Sequence, residues 1–425
     1  MRVLVVGSGG REHAICAAFA RSTKVSALFC ASGNAGIASV AQCVDIRPDD
    51  VTSLTDFAQQ NAIDLTFVGP ETLLALGITD EFEGRGLRII GPCREAAQLE
   101  ASKAFAKDFM ARHGIPTARY ITAHSPEFAA SALESGDFGD ELSPVVVKAD
   151  GLAAGKGVVV AASRTEGIAA ISGLKDVAGT AASDKIVLEE CLIGQEVSLI
   201  LFADGENFVL MPPTRDHKRI GEGDTGPNTG GMGTITDDKL LSDEQRVEIV
   251  ERIIKPTLHG CIREGFPFHG ILFLGLMMTD DGPKLLEYNV RFGDPETQSI
   301  LVRLETDLVD ICESILSGTL SATKIEWLPG NSACVILAAE GYPQRSRTGD
   351  VISGLDEAEA IENITIFHSA TARNETGEFL TSGGRVLGVT AVAPSLDEAL
   401  TSAYSAVSKI SWLGMQYRRD IGKAT

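Results

Sequence analysis

The segment that says most about the architecture is Leu285-Leu286-Glu287-Tyr288-Asn289-Val290-Arg291-Phe292-Gly293-Asp294-Pro295-Glu296. Alternate positions of a β-strand share a face, so Glu287, Asn289 and Arg291 are predicted to point the same way. Carboxylate and amide oxygens suit Mg²⁺, and the two-pronged arginine beside them suits a carboxylate. The pattern therefore predicts a metal and an anionic substrate side by side on one strand. The alternative is a strand whose polar face simply meets water.

The surrounding sequence predicts a mixed domain in which this strand has a buried neighbour. A helix is predicted at 102–112, and strands are predicted at 145–148, 158–161, 186–189, 196–202, 270–278 and 284–290. After the turn at 329–331, strands at 333–339 and 385–393 are predicted to belong to a third unit of about a hundred residues.

A glycine-rich segment lies between these strands and begins at Asp216-His217-Lys218-Arg219. Its glycines are Gly221, Gly223, Gly226, Gly230, Gly231 and Gly233. Glycine loses much conformational freedom on folding, so this density indicates close approach of the backbone to a ligand. Lys218 and Arg219 indicate that the ligand is an anion. The alternative is an exposed loop.

A lysine and glycine hairpin is predicted at 147–158, where strand residue Lys148 precedes Gly155, Lys156 and Gly157. Such a hairpin can fold over a polyphosphate, although a surface hairpin is equally consistent with the pattern. It is not a Walker loop, because glycine follows Lys156 and a strand follows the glycine. The later run Glu189-Glu190-Cys191-Leu192 ends a strand with backbone groups suited to an adenine edge, and Glu196 suits ribose hydroxyls.

The first hundred residues are predicted to form a small parallel α/β domain. Buried strands are predicted at 3–6, 25–30, 65–69 and 87–91, with a helix at 12–20 after the first of them. The turn at 7–13 offers backbone N–H groups of Gly9 and Gly10 to an anion, with Arg11 following. A dinucleotide fingerprint is disfavoured because Glu12 takes its third glycine position. Glu71, after the third strand, is either a sugar or amine ligand or an exposed turn acid.

Composition limits the classes of partner. The chain has 425 residues and a net charge of −21, which disfavours nucleic acid and anionic membranes as partners. The 8 cysteines are scattered without a close pair, as expected of reduced thiols in the cytoplasm. We therefore expect a cytoplasmic protein of two to four domains.

Four motifs, in this order and spacing, resemble the glycinamide ribonucleotide synthetase family of the ATP-grasp superfamily over essentially the whole chain. They are GSGGREH at 7–13, KADGLAAGKGV at 148–158, DHKRIGEGDTGPNTGGMG at 216–233 and LLEYNVRFGDPETQ at 285–298. The resemblance implies an ATP-dependent ligase that joins glycine to 5-phosphoribosylamine through glycyl phosphate in purine biosynthesis. It implies an N-terminal α/β substrate domain at 1–102, an ATP-grasp domain at 103–327 with a lid at about 120–192, and a C-terminal α+β domain at 328–425.

The resemblance also implies roles for individual residues. Glu287 and Asn289 are expected to bind Mg²⁺ or Mn²⁺. Catalytic roles fall to Arg291, Asp216 and Lys148, of which Arg291 and Asp216 bind glycine. ATP is expected to contact Lys103, Lys148, Gly155, Lys156, Gly157, Glu189, Glu190, Cys191, Leu192 and Glu196. Phosphoribosylamine is expected to contact Gly9, Gly10, Arg11, Glu71 and Lys218, and Asp294 is a further substrate contact.

One departure from the superfamily pattern concerns the metal. Many members place an acidic ligand on the strand before this one, yet the segment at 271–278 contains no acid. The number of metal ions is therefore open. The expected protein is a monomer. Competing interpretations are another ATP-dependent carboxylate–amine ligase, a nicotinamide-linked oxidoreductase and a nucleotide-sensing protein.

Overall fold

The computed structural model describes residues 1–152, 157–178 and 185–423. Its first unit is a parallel sheet of five strands in the order β3-β2-β1-β4-β5. The strands are β1 (Arg2–Gly7), β2 (Ala27–Ser32), β3 (Gln42–Val44), β4 (Leu65–Val68) and β5 (Ile89–Ile90). Its helices span Gly10–Ala20, Val51–Gln60, Glu71–Leu76, Ile78–Gly84 and Arg94–Ala101, with a short 3₁₀ turn at Ile37–Ser39. The predicted parallel α/β domain is confirmed.

The strands of this sheet are covered on both sides, as expected for parallel pairing. Val3, Leu4, Val5 and Val6 of β1 are all fully buried. The short edge strand β3 was not predicted, because its three residues are partly exposed and carry no apolar run. The carboxyl ends of β1 and β4 lead into the glycine turn and into Glu71, so both features lie at one edge of the sheet.

A second, antiparallel sheet forms the small unit that the sequence predicts as a lid. Its strands are β6 (Tyr120–Ala123), β7 (Val145–Ala149), β8 (Val158–Ala161) and β9 (Ile186–Glu190), in the order β6-β9-β7-β8. Helices Pro126–Glu134 and Arg164–Ala178 accompany the sheet, which has its own apolar core. The helix Lys103–Arg112 precedes it and is capped by the Ser102 side chain.

The remaining strands are mostly parts of one large sheet. They are β10 (Gln195–Asp204), β11 (Phe208–Leu210), β12 (Thr214–Asp216), β13 (Arg219–Gly221), β14 (Thr225–Asn228), β15 (Gly233–Thr236), β16 (His269–Thr279), β17 (Gly282–Asn289), β18 (Asn331–Ala338), β19 (Ile364–His368), β20 (Thr371–Arg373), β21 (Phe379–Thr381) and β22 (Arg385–Ala393). The path is β17-β16-β10-β12-β15-β18-β22-β19, with β11 beside β10. Separate hairpins are formed by β13 with β14 and by β20 with β21.

This sheet crosses the predicted boundary between the second and third domains. Strand β15 pairs antiparallel with β18, from Gly233↔Val335 to Thr236↔Ser332. The C-terminal strands thus continue the middle sheet, although they have an apolar core of their own with the helix Leu396–Val407. The other helices of this part are Asp243–Ile249, Lys255–Arg263, Glu296–Leu301, Leu308–Ser317 and Leu355–Glu359. A π-helical turn at Val250–Ile254 and 3₁₀ turns at Asp238–Leu240 and Leu320–Ala322 complete the set.

Within the described residues, no helix combines the length and the apolar content needed to span a bilayer.

Candidate active site

Strand β17 carries its polar side chains on one face. Glu287 and Asn289 are partly exposed, while Tyr288 and Val290 between and after them are buried. Arg291 lies just beyond the strand and donates from Nη2 to Oδ1 of Asn289 at 3.2 Å, so the three polar residues share one side. Four cationic side chains act electrostatically on Glu287, namely Lys218, Lys148, Lys103 and Arg291.

The pairing of β17 with β16 makes room for the Glu287 side chain. Gly275 lies opposite Glu287, and a Cβ atom at Gly275 would come within 3.2 Å of the Glu287 Cγ. The register shifts just beyond this pair, which leaves Leu286 as the extra residue of a bulge. Bulges of this kind commonly re-aim side chains beside active sites. No acid comes from β16, in agreement with its sequence.

The electrostatic surroundings keep Glu287 ionised. Burial disfavours the charged carboxylate, but the charges of Lys218, Lys148 and Lys103 outweigh burial, and the pKa of Glu287 is lowered. Among the described residues, no side chain hydrogen-bonds or ion-pairs with the Glu287 carboxylate. Both of its oxygens are therefore available to a cation. Asn289 contributes a second oxygen, Oδ1.

Two of these lysines lie where the lid meets β17. Lys148 on β7 contacts Glu189 Oε1 at 2.7 Å and donates to the Leu286 carbonyl at 3.4 Å. Lys103, at the start of its helix, donates to the Gly151 carbonyl at 2.8 Å, and burial lowers its pKa. Both side chains, from different elements, therefore lie beside the lid and within electrostatic reach of Glu287.

A third lysine, Lys107, was missed by the sequence reasoning. Its Nζ lies 2.9 Å from Glu189 Oε2, and only 2% of each side chain is exposed. Burial is the largest effect on Lys107 and lowers its pKa to about 8, although Glu189 opposes this effect. The available signal was its position one helical turn after Lys103.

The predicted nucleotide-binding residues of this part lie in the lid sheet and in the segment that follows it. Gly155 and Lys156 lie outside the described residues, whereas Gly157 accepts a backbone hydrogen bond from Ala149 at 2.8 Å. Glu190 closes strand β9, and Cys191 and Leu192 follow it in extended coil. Glu196 on β10 pairs with Lys218 at 2.7 Å. Lys218, predicted to contact phosphoribosylamine, thus lies beside a residue predicted to contact ATP.

Arg291 is held by two carboxylates. Its Nε donates to Glu71 Oε2 at 3.1 Å, and its Nη2 donates to Glu100 Oε1 at 2.7 Å. Glu100 was not predicted, and it also accepts the Val290 N–H at 2.7 Å. Burial raises the pKa of Glu100 to about 7, with Arg291 acting in the opposite direction. Arg291 therefore links the end of strand β17 to the first unit.

Two further carboxyl groups, Asp216 and Glu296, interact with each other, and Glu296 also interacts with Arg291. Across the sheet Asp216 pairs with Thr234, whose Oγ1 donates to the Pro295 carbonyl at 3.1 Å, so this face of the sheet meets the start of the helix Glu296–Leu301. Glu296 is only 5% exposed. Burial raises the pKa of both groups, and the charge of Asp216 adds to the effect on Glu296. Glu296 was not among the predicted residues.

The glycine turn after β1 lies against the third unit. The Gly9 N–H donates to Glu12 Oε2 at 2.6 Å, and a Cβ at Gly10 would come within 2.6 Å of Gln298 Nε2 and Ser369 Oγ. Arg11 reaches the segment that follows β17, where its Nη1 donates to the Phe292 carbonyl at 3.1 Å.

Asp294 connects the segment after β17 with the C-terminal unit. It accepts from Gln298 Nε2 at 2.8 Å and pairs with Arg385 of the C-terminal unit at 3.2 Å. Ser369 and Arg385 were missed, because the sequence offered no motif that ties the C-terminal hundred residues to the site.

The lid sheet and strand β17 belong to a segment, residues 101–297, that matches an ATP-grasp (A) domain, which gives the class of the protein. The fold agrees with this class: the biotin carboxylase domain of Hydrogenobacter thermophilus 2-oxoglutarate carboxylase, solved with MgADP and bicarbonate, superposes with a TM-score of 0.76 at 17% identity, over 98% of this chain and 91% of that chain. At that identity the likeness concerns the fold alone.

The chain belongs to the phosphoribosylglycinamide synthetase family. Residues 1–100 match its N domain, residues 101–297 its ATP-grasp (A) domain and residues 332–424 its C domain. The three matches together cover almost the whole sequence.

Individual relatives agree with the family assignment. Phosphoribosylamine–glycine ligase from Xanthomonas campestris is 47% identical over 430 residues, covering 99% of this chain and 97% of the relative. The Vibrio parahaemolyticus ligase is 47% identical over 428 residues, with coverage of 99% and 98%. A crystal structure of the Thermotoga maritima ligase gives a TM-score of 0.85 at 34% identity, over 99% of this chain and 100% of that chain.

Proposed function

We propose that this chain joins glycine to 5-phosphoribosylamine with hydrolysis of ATP, giving glycinamide ribonucleotide, ADP and phosphate in purine biosynthesis. The chain is an ATP-dependent ligase of its family, and its curated relatives carry the name of this activity. The observation that supports the proposal best is one strand, β17, which places metal-ligand oxygens beside an arginine that can bind a carboxylate.

ATP is proposed to lie between the lid sheet and β17. The residues of the described part that we assign to it are Lys103, Lys148, Gly157, Glu189, Glu190, Cys191, Leu192 and Glu196. The lysines are placed to hold the phosphate oxygens, and the strand end at Glu190 to meet the adenine. Gly155 and Lys156, outside the described residues, are proposed to belong to the same lid.

Glu287 and Asn289 fit a hard divalent cation, because both supply oxygen donors and no described residue hydrogen-bonds or ion-pairs with the Glu287 carboxylate. When bound, Mg²⁺ supplies neutralisation of phosphate charge. The described residues contain no group of three or more acidic, histidine or cysteine side chains placed for a metal. The remaining ligands are therefore proposed to be phosphate and water oxygens. Mn²⁺ in place of Mg²⁺, a cytoplasmic location and a monomeric state stay predictions.

Glycine is proposed to bind across Arg291 and the two buried acids. The guanidinium binds the carboxylate, and Asp216 with Glu296 receives the ammonium group, because two buried carboxyl groups with raised pKa values favour a bound cation. A glycine carboxylate oxygen then attacks the γ-phosphorus of ATP, so that a bond to phosphorus forms while ADP leaves. The product is glycyl phosphate.

Phosphoribosylamine is proposed to bind at the glycine turn, with Gly9, Gly10, Arg11, Glu71 and Asp294 around it. Its amine attacks the carbonyl carbon of glycyl phosphate, the new C–N bond forms, and phosphate leaves as the amine loses a proton. Lys218, which lies beside Glu196, is proposed to balance charge between the two sites. Positioning and preorganised charges account for the rate, without a covalent enzyme intermediate.

Omission of single substrates tests the proposed function. We expect ADP release only when Mg²⁺, ATP, glycine and phosphoribosylamine are all present, because the amine completes the reaction. Undiminished release when alanine or serine replaces glycine would assign the chain to another carboxylate–amine ligation. ATP binding without any turnover in the complete mixture would indicate a nucleotide sensor instead.

A further inference from the structure

Lys107 lies behind the proposed nucleotide site. Its Nζ contacts Glu189 Oε2 at 2.9 Å and donates to Thr117 Oγ1 at 2.7 Å. With 2% of its side chain exposed, the ammonium group is enclosed by protein and has no route to a phosphate. Any influence of Lys107 on the nucleotide must therefore pass through its neighbours.

Glu189 is shared by two ammonium groups. Its Oε2 faces Lys107, and its Oε1 faces Lys148 at 2.7 Å. The contact with Lys148 is close but is not aligned as a hydrogen bond, and the other contact of Lys148 is a long hydrogen bond of 3.4 Å to the Leu286 carbonyl. The Lys148 ammonium group therefore still has N–H donors available for a ligand. The Lys107 ammonium group is instead engaged by short contacts with Glu189 and Thr117.

The charge balance of this cluster (Lys107, Glu189 and Lys148) depends on Lys107. With two cations and one anion, the cluster has one positive charge in excess, and that charge is the one facing the nucleotide. Without Lys107 the cluster would be neutral, and Glu189 would hold Lys148 alone. Ion pairs between buried charges are screened weakly, so a Glu189 without Lys107 would hold Lys148 firmly and draw it away from the phosphates.

The same lysine also ties the segment at 116–117, the hinge that leads into the lid sheet, to strand β17. Thr117 receives the Lys107 hydrogen bond and donates its own to the Leu285 carbonyl at 2.6 Å. The Leu285 N–H donates to the Pro116 carbonyl at 2.8 Å, so the hinge runs beside β17. Lys107 is thereby fixed relative to both the lid lysine and the metal-ligand residues.

We infer that Lys107 is a positioning residue that neutralises Glu189 and so leaves the Lys148 ammonium free to bind the phosphates of ATP. This inference rests on the proposed function, since it assigns a task within the same nucleotide site. Lys107 itself touches no substrate.

Replacement of Lys107 by methionine keeps an unbranched side chain that is one heavy atom shorter and removes the charge. We expect Lys107→Met to raise KM for ATP about 10-fold or more while KM for glycine changes less than about 2-fold. Lys107→Arg, which keeps the charge, should restore most of the ATP affinity. A KM for ATP that stays at the wild-type value in Lys107→Met would overturn the inference, as would equal rises for both substrates.

A second comparison covers the case in which Lys107→Met does not fold. If Lys107 acts only through Glu189, then adding Lys107→Met to Glu189→Gln should leave KM for ATP within about 2-fold of that of Glu189→Gln alone. A further rise in the double variant would contradict the inference. Both variants in this comparison carry Glu189→Gln. Neither of them therefore has a buried Glu189 carboxylate without a cationic partner.

Arg303→Met is the matched control for loss of a buried cation. Arg303 is 2% exposed and donates to Thr236 Oγ1 at 2.9 Å, away from the lid. The Arg303→Met variant should have a lower melting temperature but an unchanged ratio of KM for ATP to KM for glycine. If the wild-type chain itself shows no ligase activity, the proposed function fails, whereas an active wild type with an unaffected Lys107→Met variant sinks this inference alone.

Discussion

Glu287 is the residue on which the proposed metal site most depends. Glu287→Gln keeps the shape of the side chain but removes one charge from the proposed cation site, so we expect kcat to fall about 100-fold or more with the fold intact. Asp281→Asn, an exposed acid at the turn before the same strand, should leave kcat unchanged. Initial rates at several Mg²⁺ concentrations measure the effect, and near-normal kinetics at low Mg²⁺ would refute the metal assignment.

Arg291 is expected to determine the use of glycine. Arg291→Lys retains a positive charge but loses the planar fork that now bridges Glu71 and Glu100, so KM for glycine should rise about 10-fold to 100-fold. KM for ATP should change little. Steady-state kinetics with glycine varied would show this, and an unchanged glycine dependence would remove Arg291 from the glycine site.

The acid pair Asp216 and Glu296 predicts a pH dependence of glycine binding. Because burial raises both pKa values, the pair retains a proton at a pH where ordinary carboxyl groups are ionised. A bound ammonium group requires the ionised form, so glycine affinity should increase as the pH rises from about 6 to about 9. Glu296→Gln should flatten the profile of KM for glycine against pH. A wild-type profile that is flat or falls in affinity over this range would contradict the assignment.

Residue patterns predicted the polar side of β17 but not its partners. Glu287, Asn289 and Arg291 were found because a strand alternates its faces, which is a local property. Glu100 could not be found this way, since it contacts Arg291 from 191 positions earlier in the chain. Long-range ion pairs depend on how domains meet, and a single sequence carries no pattern for that.

At the level of elements, the hairpin β13–β14 is held by the C-terminal segment. Arg418 is fully buried, pairs with Asp224 at 2.5 Å and Asp420 at 2.7 Å, and donates to the Arg219 carbonyl at 3.1 Å. The sequence predicted close approach of this glycine-rich segment to a ligand, and neither the hairpin nor its anchor was foreseen. The reason is again distance, since the anchor follows almost 200 residues later.

Removal of this anchor should loosen the hairpin. Arg418→Met removes the ion pair with Asp420 and the hydrogen bond to the Arg219 carbonyl, so we expect the free energy of unfolding to fall by about 2 kcal/mol. Urea denaturation measures the change, and Arg419→Met, at an exposed neighbouring position, is the control. Stability equal to the wild type would show that the contacts of Arg418 do not hold the hairpin.

At the level of the whole molecule, the large sheet unites two parts that the sequence presented as separate units. The strands themselves were predictable from their apolar runs, and the parallel N-terminal domain was predicted correctly. The pairing of β15 with β18 was not, because strand partners are set by tertiary packing rather than by local pattern. The predicted boundary at 327 and 328 cuts the chain between these paired strands.

This continuity predicts the behaviour of a shortened chain. A protein ending at Trp327 would expose the edge of β15 that β18 now covers, and exposed edges promote association. We expect such a chain to aggregate or to elute as large species in size-exclusion chromatography, whereas the full chain does not. A well-folded, monomeric fragment would show that the C-terminal unit is dispensable for the fold.

The central claim is that β17 places a carboxylic acid beside the phosphates of ATP, so that the acid is phosphorylated. The most direct test is the reaction with glycine labelled with oxygen-18 in its carboxylate, followed by mass analysis of the phosphate released. The proposed route predicts one labelled oxygen atom in each phosphate, because the carboxylate oxygen bonded to phosphorus leaves with it. Phosphate without the label, formed while glycinamide ribonucleotide accumulates, would contradict it.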